Sequence, residues 1–178
     1  MSHIDAQAPS SPEAAPRLSW QLADPAATAG LGAALADLLP VGATLLLRGD
    51  LGAGKTCLVQ GLAAALGISE PITSPTFALA QHYAGQTADG RPTALVHLDL
   101  YRLEDPASAD ELFAQEEEEA QALGALLAVE WPERLSVLPA GCWTLELALS
   151  DPLDPEAGRV GRLTPPRSGP CSGPRSGP

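Results

Sequence analysis

Apolar and polar positions along the chain switch between two periods, and the switches lay out an ordered series of strands and helices. Leu18 to Leu22 alternates with a period of two, as a short strand does. Asp24-Pro25 follows, an N-cap and first-turn pair that opens a helix running to about Leu39, where Pro40 and Gly42 stop it. Thr44 to Arg48 is a short apolar run of the kind found in strands covered on both faces. Lys55 to Leu66 reads as a helix closed by Gly67. Phe77 to Ala84 and Thr93 to Leu100 read as strands on either side of a turn at Asp89-Gly90, which predicts a hairpin. Helical spacing returns from Ser108 to about Gly124, and Leu126 to Val129 is a further buried strand. Cys142 to Leu149 alternates as a later strand, and Val160 to Thr164 is expected as a last edge strand. Strands interleaved with helices predict an α/β fold, a three-layer sandwich around a mixed, mostly parallel central sheet.

The pattern fades at both ends. Residues 1–16 are rich in Ala, Pro and Ser without an apolar period, which predicts a disordered leader. At the other end Arg-Ser-Gly-Pro occurs at 167–170 and again at 175–178, so residues 165–178 are expected to be a flexible low-complexity tail. Residues 17–164 then form one domain, and with 45% apolar residues in 178 there is enough material for a real core. A formal charge of −12 argues against a large nucleic-acid footprint, because phosphate backbones demand a basic face. Any contact with RNA is therefore expected to be indirect. Cys57, Cys142 and Cys171 show no metal-ligand spacing and are odd in number, as expected of free thiols in a reducing cytoplasm. No apolar run is long enough for a membrane span, and the N-terminus lacks the regions of a signal peptide, so a cytoplasmic protein is expected.

The candidate chemistry centres on Lys55, the only lysine in the chain. It stands in Gly49-Asp50-Leu51-Gly52-Ala53-Gly54-Lys55-Thr56, a full match to the phosphate-loop pattern G-x-x-x-x-G-K-[ST]. A compact ammonium reaches between the β- and γ-phosphates of a nucleotide where the broad fork of arginine does not fit. The glycines let successive N–H groups converge on a phosphate at a helix N-terminus. The phosphate cradle is thus assigned to Asp50, Leu51, Gly52, Ala53, Gly54, Lys55, Thr56 and Cys57, with the Thr56 hydroxyl placed for Mg²⁺. A strand-like run before the motif and a helical run after it supply the context it requires, and the fold expected is that of a phosphate-loop NTPase.

Two acids stand at strand ends. Ala94-Leu95-Val96-His97-Leu98-Asp99 is an apolar strand ending in an acid, the form of a Walker B element, with His97, Asp99 and Tyr101 on one side of it. Asp99 also fits a cap on the turn that follows. Glu130 closes the strand that ends at Val129, where it can hold Mg²⁺ or orient water; it also fits an N-cap for a short helix after Pro132, with Trp131 as ordinary core. Ser74-Pro75-Thr76 follows the phosphate-loop helix, where a switch segment could offer a hydroxyl, although such a triplet is commonly only a turn. Glu116 to Glu119 reads most simply as a solvated helix face, and His3 and His82 have no assigned partner. The segment Asp24 to Thr28 is the place suggested for contacts to adenine.

Taken in order, the phosphate loop, Ser74-Pro75-Thr76, His97-Leu98-Asp99-Leu100-Tyr101-Arg102-Leu103 and Glu130-Trp131-Pro132 resemble the TsaE family, also called YjeE, over about residues 18–150. The resemblance implies a weak Mg-dependent ATPase of tRNA threonylcarbamoyladenosine biosynthesis. It further implies that this activity is stimulated by TsaB and TsaD and supports modification of adenosine 37 in tRNAs that read ANN codons. By the same resemblance Lys55, Asp99, Glu130 and Thr76 are catalytic, with Asp99 the Walker B acid and Thr76 a switch residue. Thr56, Glu130 and Asp99 are the metal residues, and Trp131 belongs to the functional surface. Two departures stand out: Cys57 occupies a position that is often a second Thr, and the helix around Glu111 to Glu119 lacks an expected glycine. Two other classes fit a phosphate loop, a nucleotide-dependent binding module without essential turnover and a small-molecule kinase.

Overall fold

The computed structural model describes residues 18–166. The leader expected at 1–16, Cys171 and all but the first two residues of the expected tail lie outside the described residues. The elements run β1 (Leu18–Leu22), α1 (Pro25–Leu38), β2 (Thr44–Arg48), α2 (Lys55–Ala65), β3 (Ala80–Gln86), β4 (Pro92–Asp99), α3 (Pro106–Leu123), β5 (Leu126–Glu130), a 3-10 turn (Pro132–Arg134), β6 (Trp143–Asp151) and β7 (Asp154–Thr164). Side-chain caps fix the helix starts: Asp24 accepts from the Ala27 N–H at 2.7 Å, and Asp105 from the Ser108 N–H at 3.2 Å. Gly124, at φ 61°, ends α3 in the left-handed conformation. No helix among the described residues is long and apolar enough to cross a membrane.

The seven strands form one mixed, partly parallel sheet in the order β1-β7-β6-β2-β5-β4-β3. The central four, β6, β2, β5 and β4, are mutually parallel. Each flank is antiparallel: β7 and β1 on one side, β3 on the other. A mostly parallel arrangement therefore holds for the centre and not for the whole sheet. The reason lies in the connections, since Pro152-Leu153 between β6 and β7 is too short for anything but a hairpin. β7 also departs from the expected short edge strand: it is 11 residues long and lies between β6 and β1. Phe77 to Leu79 is not strand; Leu79, at φ 65°, closes a turn by donating its N–H to the Pro75 carbonyl at 2.6 Å.

Leu31 and Leu35 of α1, with Leu58 and Leu62 of α2, bury one face of the sheet against Leu45, Leu47, Leu145 and Leu147. On the other face Ala109, Phe113 and Ala120 of α3 cover Leu46, Val96, Leu98, Leu127 and Val129. Helix, sheet and helix make three layers. α1 and α2 approach so closely that a Cβ on Gly61 would lie 1.9 Å from the Ala29 carbonyl oxygen, and one on Gly32 2.0 Å from that of Leu58. This contact fixes where the N-terminus of α2 meets the tips of β2, β4 and β5.

Candidate functional site

The loop between β2 and α2 bends through three positive-φ glycines, Gly49, Gly52 and Gly54. At Gly49 a side chain is excluded outright, since a Cβ would sit 2.4 Å from the Leu147 carbonyl oxygen. α2 starts at Lys55, and the first amide to bond back into the helix is Leu58, to the Gly54 carbonyl at 2.9 Å. The N–H groups of Lys55, Thr56 and Cys57 therefore have no partner within the helix, as at any helix N-terminus. Ala53 instead donates inside the loop, to the Asp50 carbonyl at 3.1 Å. Lys55 is only 4% exposed. Its Nζ donates to the carbonyls of Gly49 (2.6 Å) and Asp50 (3.1 Å) and lies 4.2 Å from the centre of the Trp131 ring. Burial lowers the pKa of this ammonium, and the nearby Glu130, Glu133, Asp99 and Asp50 carboxylates oppose that shift.

Asp99 and Glu130 stand side by side in the register of β4 and β5, at their carboxyl ends. Glu130 Oε1 accepts from the Thr56 hydroxyl at 3.0 Å and lies 2.9 Å from His97 Nε2. The His97 ring is fully buried, and among the described residues its Nδ1 has no partner. Asp99 Oδ2 accepts from Ser74 and Thr76, both at 3.0 Å, and Oδ1 accepts from the Tyr101 N–H at 2.9 Å. Asp99 thus holds the following turn and faces the cleft as well. Glu130 does not cap the 3-10 turn; Trp131 occupies that cap position, at φ 59°, without a side-chain cap bond. The Trp131 ring packs against Tyr101, their centres 4.8 Å apart.

Of the site residues expected from sequence, Leu51, Gly52, Gly54, Lys55, Thr56, Cys57, Thr76, Asp99 and Glu130 line one cleft of about 390 Å³. Ala53 lines an adjoining hollow of about 280 Å³, where Asp24, Pro25 and Thr28 face Glu156 and Arg159 of β7. Asp50 lies on the far side of the loop and reaches the site through its carbonyl, which holds Lys55. Three contributors escaped assignment in the sequence. His97 was visible only as sharing a face with Asp99, Ser74 was one hydroxyl of a common turn triplet, and Arg159, whose Nη2 donates to the Gly52 carbonyl at 3.3 Å, carried no local signal. Thr56 Oγ1, Glu130 Oε1 and the Asp99 carboxylate form an all-oxygen set, the kind a small hard cation takes.

Residues 22–154 match the family described as threonylcarbamoyl adenosine biosynthesis protein TsaE. A tRNA threonylcarbamoyladenosine biosynthesis protein TsaE of Nostoc sp. is 41% identical over 144 residues, covering 81% of this chain and 83% of the relative. The protein of the same name from Synechocystis sp. is 46% identical over 125 residues, covering 69% of this chain and 75% of the relative. Among solved structures, that of YdiB from Bacillus subtilis superposes with a TM-score of 0.63 at 26% identity, over 86% of this chain and 88% of that one.

Proposed function

The chain belongs to the TsaE family and so to threonylcarbamoyladenosine modification of tRNA, and from that premise we propose that it is the subunit that binds and hydrolyses ATP for this modification. It acts with TsaB and TsaD in the cytoplasm, touches tRNA only through that complex, and has a phosphate-loop NTPase fold. The observation that carries the reading is the 3.0 Å contact between Thr56 Oγ1 and Glu130 Oε1, which joins the phosphate loop to a strand-tip acid.

Lys55 and the free amides at the start of α2 gather the β- and γ-phosphates. To do so the Lys55 ammonium leaves the carbonyls of Gly49 and Asp50 for phosphate oxygens, a change of partner within the reach of one side chain. The oxygen set of Thr56, Glu130 and Asp99 fits Mg²⁺, which when bound would neutralise charge building on the β- and γ-oxygens. Thr76, hydrogen-bonded to Asp99, reports the γ-phosphate to the loop it belongs to in this reading. Asp24, Pro25 and Thr28, with Arg159 opposite, are the groups for base and ribose. A kinase reading is weakened by residues 66–79, which follow α2 and contain no arginine to close over a phosphoryl group.

The test is phosphate release by the chain alone and with TsaB and TsaD, together with tRNA modification in the reconstituted system. A rise on adding both partners is expected. Glu130→Ala should still assemble with them yet stop modification. Unimpaired modification by that variant would mean a nucleotide-dependent docking module whose turnover is incidental.

A further inference from the structure

We propose that His82 of β3 with Glu116 and Glu119 of α3 forms a binding site for a divalent transition metal of the zinc class, apart from the nucleotide cleft. One ligand atom from each side chain lies within 4.8 Å of the other two. His82 Nε2 is 2.6 Å from Glu116 Oε2, and Nδ1 is 3.3 Å from Glu119 Oε1. The elements dictate this meeting. Glu116 and Glu119 are three residues apart on α3 and so share a helix face. His82 stands opposite Val96 in the β3–β4 register, and Val96 belongs to the core beneath α3, so the imidazole projects on that side of the sheet.

Glu116 is the informative member. It falls in the buried stripe Ala109, Phe113, Glu116, Ala120, where helical periodicity calls for an apolar side chain, and its own side chain is 7% exposed. The run Glu116 to Glu119 is therefore not uniformly the solvated face expected from sequence. A buried carboxylate needs a cation or a set of donors. Among the described residues its partner is His82, with no arginine or lysine against it. An imidazolium would bring one positive charge to two carboxylates. A divalent ion balances both and leaves the imidazole neutral.

One imidazole nitrogen and two carboxylate oxygens match the ligand types of a three-residue zinc site that keeps a position open to solvent. Donors around a tetrahedral ion at about 2.0–2.2 Å lie roughly 3.3–3.6 Å apart, so binding widens the 2.6 Å contact between His82 Nε2 and Glu116 and swings the exposed Glu119 away from Nδ1 toward the ion. His82 and Glu119 are both accessible for entry of the ion. Such an ion would tie the edge strand β3 to α3. Because β3 starts four residues after Thr76, it would also steady the base of the Ser74–Thr76 loop.

The test is calorimetric titration of the nucleotide-free full-length chain with zinc chloride, and a parallel cobalt(II) titration followed by visible absorption. One site is expected, with a cobalt spectrum free of thiolate charge-transfer bands and with affinity lowered by at least about tenfold in both His82→Asn and Glu119→Gln. Glu119→Gln alters an exposed side chain and keeps the fold assessable by circular dichroism. Absence of saturable binding below about 1 mM zinc, or binding that survives in both variants, would overturn the proposal and leave the cluster an ion pair between imidazolium and glutamates.

Discussion

Lys55 is buried with two carbonyl oxygens and an aromatic face around its ammonium, an arrangement that serves a ligand better than it serves the fold. Its lowered pKa means that, just below pH 10.5, the unfolded chain binds more protons than the native one, so this group makes stability rise with pH there. Lys55→Ala should accordingly keep its melting temperature while ATP affinity, read by calorimetry, falls by at least roughly a hundredfold. His97 acts through Glu130. His97→Phe is expected to raise the Mg²⁺ concentration needed for half-maximal hydrolysis by about ten- to a hundredfold while changing Mg-free nucleotide binding little; equal losses in both would mark it as merely structural. Cys142 gives a separate pH signature. Burial, with the Glu117 charge behind it, pushes its thiol from 9.0 up to about 11. The folded chain then holds a proton the unfolded one loses, so stability present below pH 9.0 declines as pH rises toward about 11. Denaturation midpoints at pH 8 and pH 10.5 should show that decline reduced in Cys142→Ala. At this scale Lys55, Thr56, Asp99 and Glu130 were legible because each sits in a motif that sequence order preserves. His97 and Arg159 were not, because their partners lie 33 and 107 residues away.

Among the elements, those with explicit punctuation were the readable ones. Asp24-Pro25 set the start of α1, and Gly67 and Gly124 lie just beyond α2 and α3. The first half of β7, Asp154 to Arg159, has no apolar alternation; Asp154 and Arg159 pair with β6 across a register irregularity and Arg159 also pairs with Leu22 of β1, which a pattern of side chains cannot reveal. Phe77 to Leu79 misled in the opposite way: its apolar residues form a turn, leaving Phe77 85% exposed beneath the Arg102 guanidinium, 4.1 Å from the ring centre. The α1–α2 contact was invisible as well, since nothing local distinguishes Gly32 and Gly61 from other glycines. Gly61→Ala forces the helices apart and should cost about 1–3 kcal/mol in urea unfolding. Because α2 carries the phosphate loop at its start, the same variant should also weaken ATP binding, whereas Asp105→Ala, which removes the α3 cap, should lower the urea midpoint and leave ATP binding unchanged.

At the scale of the whole molecule, the parallel centre of the sheet brings the carboxyl ends of β2, β4 and β5 to one edge, and the phosphate loop lies across them. Ligands of open α/β sheets bind at such an edge, which is why a motif at residues 49–56 and acids at 99 and 130 could be joined before any coordinates. The antiparallel β3–β4 flank was foreseen as a hairpin from the turn at Asp89-Gly90, whereas the β7 and β1 flank was not, because the blurred start of β7 concealed the short connection from β6. A net charge of −12 leaves little basic surface for a nucleic-acid backbone, in keeping with the proposal that tRNA is met only through partners. The central claim is that amides, one ammonium and two strand-tip acids together build a site for a magnesium nucleotide. Anomalous diffraction from crystals grown with Mn²⁺ and a non-hydrolysable ATP analogue tests it most directly. The account predicts a single strong manganese peak within about 2.5 Å of Thr56 Oγ1 and on the Glu130 side of the cleft, with the γ-phosphate over Lys55. A metal and triphosphate seated elsewhere, with Lys55 still bonded to the Gly49 and Asp50 carbonyls, would contradict it.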